Sequence, residues 1–230
     1  MSLESLFKDA ADELGNREVP FAVAGGLAAS LYRMEARLTM DVDLVILTES
    51  EGEKTAVEVL EAIGLEVGIA RKADLAGGPL FAIRKRNTAP CMVVGRAADK
   101  SFEEGVDILL PSMPWAREGV LRAQDNRVDF GFGPVPVLTL EDMIIAKLYA
   151  LTAGAPRPKD MDDLQSIFAA GHDMDIPYLA GQMKRLGLTV PRTAEPFLPA
   201  DLVTLARDVK RGLRHRARVP HSVKDDREKE

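Results

Sequence analysis

Asp41 and Asp43 enter the run Met40-Asp-Val-Asp-Leu-Val-Ile-Leu47, a stretch otherwise suited to a buried strand. In an extended chain, residues two apart project from one face, about 7 Å apart along the backbone. Two carboxylates are therefore forced together. Like charges at that spacing cost free energy unless water, hydrogen-bond donors or cations neutralise them. A fold that accepts this run must end the strand at solvent or beside something positive.

A second constraint lies just upstream. Ala22-Val-Ala-Gly-Gly-Leu-Ala28 sets a glycine pair where an apolar strand, Val19–Ala24, gives way to a short helix over Leu27–Arg33. Backbone N–H groups at a helix start lack internal partners and attract anions, and glycine lets a phosphate approach with no Cβ in the way. Gly25-Gly26 alone reads as a tight turn, and Asp41 alone as a cap or a solvated strand end. Together they suggest a phosphate cradle and a metal-binding carboxylate pair on adjacent strands.

The rest of the chain predicts an α/β core with a mixed sheet, then helices. Leu3, Leu6, Phe7, Ala10 and Leu14 follow helical spacing and stop at Gly15-Asn16. Thr48-Glu-Ser-Glu51 supplies hydroxyls and acids to cap a helix running through Ile63. Leu65–Ala70 is another apolar run, and Leu80–Ile83, Met92–Val94 and Val106–Leu110 read as strands. Two short strands within Arg127–Val137 are joined by Gly131-Phe-Gly-Pro134. Thr139-Leu-Glu-Asp142 is a capping signature before Met143, Ile144, Leu148 and Leu151, and helices continue over Asp160–Ala170, Ile176–Leu186 and Leu198–Leu213. The expected division is a core over residues 1–137, a helical domain over 138–220, and a polar tail over 221–230 that cannot bury enough apolar surface to order itself.

Composition removes several classes. A net charge of −6 and a pI near 5.3 argue against coating nucleic acid through the overall field. A local patch survives that argument: Arg207, Lys210, Arg211, Arg214, Arg216 and Arg218 read as a solvated basic face, or as a guide for an RNA acceptor or an acidic partner. Cys91, the only cysteine, allows no intrachain disulfide and no cysteine zinc site, which fits a reducing, cytoplasmic setting, and it reads as a small buried residue. The N-terminus has no signal-peptide pattern, and charge-free Val19–Tyr32 is too short and too interrupted to span a membrane. Gly131-x-Gly133 lacks the third glycine and following helix of a dinucleotide-binding oxidoreductase.

Gly25-Gly26 followed by Arg37-Leu-Thr-Met-Asp-Val-Asp-Leu-Val-Ile46 resembles the signature of the DNA polymerase β-like nucleotidyltransferase superfamily, particularly the minimal bacterial branch that includes the nucleotidyltransferase toxins of abortive-infection systems. The spacing between Gly26 and Asp41 is slightly longer than usual there, with the extra residue easily placed in the loop at Met34–Leu38. Val137–Leu148 and Arg157–Leu164 look like the helical segments that follow the catalytic domain in that branch.

The resemblance implies metal-dependent transfer of a nucleoside monophosphate from a nucleoside triphosphate to a hydroxyl acceptor, with the active site between core and helical domain. Two Mg²⁺ (or Mn²⁺) ions about 4 Å apart would be bridged by Asp41 and Asp43. Asp107, in Gly105-Val-Asp-Ile-Leu-Leu110, would be the third acid, with Asp129 as its competitor. Gly25, Gly26, Arg37, Thr39 and Lys147 would serve the nucleotide and its phosphates. Arg37 reads equally as an ion pair holding its loop, and Lys147 as a solvated helix-edge lysine. The acceptor would be an RNA 3′ end, a protein or a small molecule such as an aminoglycoside, and the toxin likeness tilts this toward tRNA or protein. A binding or antitoxin protein that keeps the fold without catalysis is the alternative. Lys159 and Asp160–Asp163 read as an exposed helix start with acids at its positive end, and His172 as a solvent-exposed loop residue.

Overall fold

The computed structural model describes residues 2–71, 90–98, 104–153, 157–190, 192 and 195–218. Five strands form one mixed sheet: β1 (Phe21–Val23), β2 (Asp41–Ile46), β3 (Glu66–Arg71), β4 (Pro90–Arg96) and β5 (Gly105–Leu109), in the order β1-β2-β5-β4-β3. β2 and β5 run parallel, and the other pairs are antiparallel. The central pair buries Val42, Leu44, Val45, Ile46, Val106 and Ile108, the near-continuous apolar content expected of parallel strands covered on both faces. β6 (Arg127–Asp129) and β7 (Pro134–Pro136) form a separate hairpin. The strand expected at Leu80–Ile83 and the tail lie outside the described residues.

Helix α1 (Leu3–Asn16) buries Leu6, Phe7, Ala10 and Leu14, and its first turn is capped by Ser2, whose hydroxyl oxygen accepts from the Ser5 N–H at 3.2 Å. Helix α2 (Gly25–Tyr32) leads from β1 toward β2, and Ser30 ties its exit loop by donating to the carbonyls of Gly26 (2.9 Å) and Arg37 (3.2 Å). Helix α3 (Gly52–Ala62) corrects one expectation. Its N-cap, Glu51, is left-handed (φ 57°) and makes no side-chain cap bond, because capping by a side chain needs an extended residue at that position.

Helix α4 (Ala116–Ala123) was not among the expected elements, although Ala116, Gly119, Val120 and Ala123 keep helical spacing on its buried side. Helices α5 (Leu140–Ala153), α6 (Pro158–Ala169), α7 (Ile176–Leu186) and α8 (Ala200–Arg218) follow as foreseen, with a 3₁₀ turn at Glu195–Phe197. Thr139 makes the anticipated cap: its hydroxyl accepts from the Asp142 N–H at 3.3 Å and donates to the Asp142 carboxylate at 2.8 Å. One apolar cluster runs from Leu6 on α1 through the sheet to Leu202 and Ala206 on α8. Among the described residues, no helix is long and apolar enough to cross a membrane.

α7 is fastened to α5 through a polar knot. Buried Asp142 accepts from the Tyr178 hydroxyl at 2.6 Å and from Arg122 Nε at 3.0 Å, and the Arg122 guanidinium lies 3.9 Å over the Tyr178 ring. Burial and the Asp142 carboxylate hold the Tyr178 hydroxyl well above its ordinary pKa, so it stays a donor. A hydrogen bond to a charged group is worth roughly 1.5–3 kcal/mol. Tyr178→Phe is therefore expected to lower unfolding stability by about 2 kcal/mol in urea titration, with the ring contacts kept.

Candidate active site

The site begins at the junction of β1 and α2. Ala24 N–H donates to the Asp43 carbonyl at 2.8 Å, so the chain leaving β1 is pinned to β2 just where the helix starts. Gly25 has φ +59°, and a Cβ there would lie 1.7 Å from Asp43 Oδ2. The Gly26 N–H bonds the same carboxylate. The glycine pair thus brings a helix start onto an acid, and only glycine fits both the dihedral and the space. Gly25→Ala is expected to lower stability by about 1–2 kcal/mol from the left-handed backbone alone. It should also displace Asp43, seen as weakened Mn²⁺ binding.

Register supplies the rest. The parallel pairing of β2 with β5 sets Asp43 opposite Asp107, and pleat alternation keeps Asp41 on the face of Asp43. One ligand oxygen from each of the three lies within 4.8 Å of the others. Asp41 is steadied by Thr39, whose hydroxyl donates to its Oδ1 at 2.8 Å. Asp107, 5% exposed, is held by Arg96 from β4, with Nη1 donating to Oδ1 and Nη2 to Oδ2 at 3.2 Å. Asp129 stands elsewhere. It closes its own hairpin by accepting from the N–H groups of Gly131 (2.8 Å) and Gly133 (3.0 Å).

Electrostatics show the cost of this convergence. Burial, then Asp41, then Asp107 push the Asp43 carboxyl up to about 7, against the pull of Lys147 and the Gly26 N–H. Burial also raises Asp107, which Arg96 only partly offsets. Three converging oxygen donors, one of them with its pKa lifted by burial and by its two neighbours, fit a hard divalent cation.

Beside the triad lies a cavity of about 290 Å³ lined by Arg37, Leu38, Thr39, Met40, Asp41, Arg96 and Lys159. Its walls come from the loop before β2, from the end of β4 and from α6. Gly26 faces the Arg37 guanidinium so closely that a Cβ there would lie 2.6 Å from Nη2.

An ion network beside the cavity corrects the reading of an exposed helix start at Asp160 and Asp163, while the helix begins at Pro158, and Lys159 and Asp162 are exposed as expected. Asp160 and Asp163 are buried, and Asp163 has no exposure. Asp163 receives Arg33 Nη1 at 2.7 Å, Arg37 Nε at 2.9 Å and Lys147 Nζ at 2.7 Å, while Lys147 also reaches Asp160 at 2.8 Å. The two acids are three residues apart on the face of α6 that carries Leu164 and Ile167, so they turn inward to cations arriving from α5 and the α2 exit loop. Lys147, far from a solvated helix edge, is buried with these acids as its anions. Arg37 holds the loop by this ion pair, and the charges of Asp163 first, then of Asp41 and Asp43, favour its protonated form.

His172 is exposed, as expected, with Nε2 2.7 Å from the Tyr32 carbonyl. Asp175 caps α7, accepting from the Tyr178 N–H at 2.9 Å. On α8, Arg207 pairs with Glu195 at 2.6 Å and Arg211 with Asp208 at 3.6 Å, and the arginines beyond lie outside the described side chains. Arg96 and Asp163 were missed at the sequence level. For Asp163 a signal existed in its spacing with Leu164 and Ile167; for Arg96 there was none short of the strand order.

Residues 13–221 match the family described as "Nucleotidyl transferase AbiEii toxin, Type IV TA system". No curated protein matches the sequence. Solved structures that align with this chain include the antibiotic-resistance factor ANT(2'')-Ia, at 16% identity and a TM-score of 0.47, covering 93% of this chain and 95% of that one. An antigenic nucleotidyltransferase-like protein from Paracoccidioides brasiliensis aligns at 16% identity and 0.47, covering 94% and 88%. JHP933 from Helicobacter pylori aligns at 18% identity and 0.42, covering 93% of each chain.

Proposed function

The chain belongs to the AbiEii nucleotidyl transferase toxin family of type IV toxin–antitoxin systems, and from that premise we propose that it moves a nucleoside monophosphate from a nucleoside triphosphate to a hydroxyl on tRNA or a protein. The observation that carries this reading is the convergence of Asp41, Asp43 and Asp107 at the start of α2, beside a cavity lined by Arg37, Arg96 and Lys159. Asp41, Asp43 and Asp107 would hold two Mg²⁺ or Mn²⁺ ions. Bound there, the ions would stabilise the departing pyrophosphate and make the acceptor hydroxyl a better nucleophile.

The chain's own groups do the positioning. Thr39 aims the Asp41 carboxylate, and Gly25-Gly26 lets the Asp43 carboxylate and the Arg37 guanidinium close on the helix start. Arg37, anchored by Asp163, would face the phosphates from the cavity wall, and Lys147 would act through Asp163 by holding it in place. Asp107 would accept the acceptor's proton. In this reading residues 1–137 form the catalytic core and 138–220 the helical domain, with the cavity between them.

The test is incubation with each α-labelled nucleoside triphosphate and Mn²⁺, with total tRNA, a cell protein extract or an aminoglycoside as acceptor. Label in tRNA or protein supports the proposal. Label only in the aminoglycoside moves the acceptor to small molecules, and neither label nor pyrophosphate with any acceptor favours a binding protein that keeps the fold.

A further inference from the structure

Of the three converging acids, Asp107 is the one gripped by an arginine. Arg96 ends β4, where its register partner on β5 is Gly105, two residues before Asp107. A Cβ on Gly105 would fall 2.8 Å from Arg96 Nη1 and 2.1 Å from the Gly95 carbonyl oxygen, so the guanidinium lies where residue 105 has no side chain. From there Nη1 donates to the Gly95 carbonyl at 2.9 Å and to Asp107 Oδ1, and Nη2 donates to Oδ2 at 3.2 Å. The planar fork matches the carboxylate edge to edge.

That grip conflicts with ligation. Each Asp107 oxygen accepts from Arg96 and keeps a second lone pair, so the conflict is one of charge rather than of lone pairs. At contact distance a cation's charge would repel the guanidinium. Arg96 has a place to go, since its side chain is 21% exposed and lines the cavity. Resting on the metal reading above, we propose that Arg96 is an exchangeable internal counter-cation: it holds Asp107 while no ion is there, turns into the cavity when an ion takes that carboxylate, and so weakens ion binding at this position. Arg96 is thus a positioning residue acting through Asp107.

The sign of its effect separates this role from a merely structural one. A residue that only braces the triad would, when replaced, weaken ion binding. A competitor would strengthen it. Free Mn²⁺ is titrated by electron paramagnetic resonance, without nucleotide, against wild type, Arg96→Gln and Arg96→Lys, with folding checked by circular dichroism. Replacing a hydrogen-bond partner that only orients a ligand commonly costs 10–100-fold in metal affinity, and removing one that competes with the ion should change affinity by a similar factor in the opposite direction. Arg96→Gln is therefore expected to tighten Mn²⁺ binding by about tenfold, and Arg96→Lys, which keeps the charge but not the fork, by less. Adding Asp107→Asn should erase the gain. Unchanged or weaker binding in the Arg96 variants overturns the proposal. If Arg96→Gln fails to fold, Arg96→Lys decides by the same rule. Absence of Mn²⁺ binding in wild type and variants alike overturns the metal reading as well, whereas equal binding in all three overturns this inference alone.

Discussion

Asp43→Asn is expected to reduce metal-dependent nucleotidyl transfer by about a thousandfold, and yet to raise the melting temperature of the metal-free protein above neutral pH. The first effect follows from the proposed role of Asp43 as a metal ligand, since metal assistance is worth several kcal/mol and each 1.4 kcal/mol is about tenfold in rate. The second follows from burying Asp43 beside Asp41 and Asp107. Burial and the neighbouring acids raise the Asp43 carboxyl from an ordinary 3.8 to about 7 in the fold. A group whose folded pKa lies above its unfolded value binds its proton more tightly when folded. Its stabilising contribution is complete below about pH 3.8 and is lost as pH rises through about 7.

Asparagine mimics the protonated acid at every pH. The difference in melting temperature between variant and wild type, measured in a chelator from pH 5 to 9, should therefore grow with pH and level off above about 7. Mn²⁺ should narrow that gap at pH 8 by stabilising the wild type alone. A pH-independent difference would show that Asp43 carries no such strain. Transfer that survives the substitution would remove Asp43 from the chemistry.

The parts of this site that local sequence could reveal are those made by neighbours in the chain. Gly25-Gly26 and Asp41-x-Asp43 each declare a strand end and a turn, and pleat alternation alone puts the two acids on one face. Asp107 was nameable only through family likeness, because its place opposite Asp43 depends on β5 pairing in parallel with β2 from far along the chain. Arg96 illustrates the limit more sharply. It meets Asp107 because β4 is the next strand over and Gly105 leaves room, and neither fact leaves a local trace. For Asp160 and Asp163 the default that acids face water misled, since it fails only when cations arrive from elsewhere in the fold. The spacing of Asp163 with Leu164 and Ile167 was the one clue to an inward face. α4 was missed for a related reason: its buried residues include a glycine and two alanines, which give a weak apolar signal between charged neighbours.

Asp163→Ala should produce the largest loss of stability among single substitutions in this network, about 3–5 kcal/mol in urea unfolding, the usual consequence of stranding buried charges. Burial alone would raise the Asp163 carboxyl. Arg37 and Lys147 outweigh that and hold it below the ordinary range. Its contribution is therefore present above about pH 3.8 and lost as pH falls through the lower folded value. Removing it leaves Lys147 with Asp160 alone and deprives Arg37 of its ion-pair partner, so the loop that carries Thr39 to Asp41 loses its anchor. Asp163→Asn should cost nearly as much, because shape without charge does not neutralise the three cations. Asp162 provides the control. It pairs with Arg33 at 2.9 Å but its side chain is 64% exposed, and Asp162→Ala should change stability by less than about 1 kcal/mol. If the two substitutions cost the same, the ion network is not what fixes α6 beside the cavity, and the anchoring of Arg37 must come from backbone contacts such as Met34 N–H to the Ser166 carbonyl.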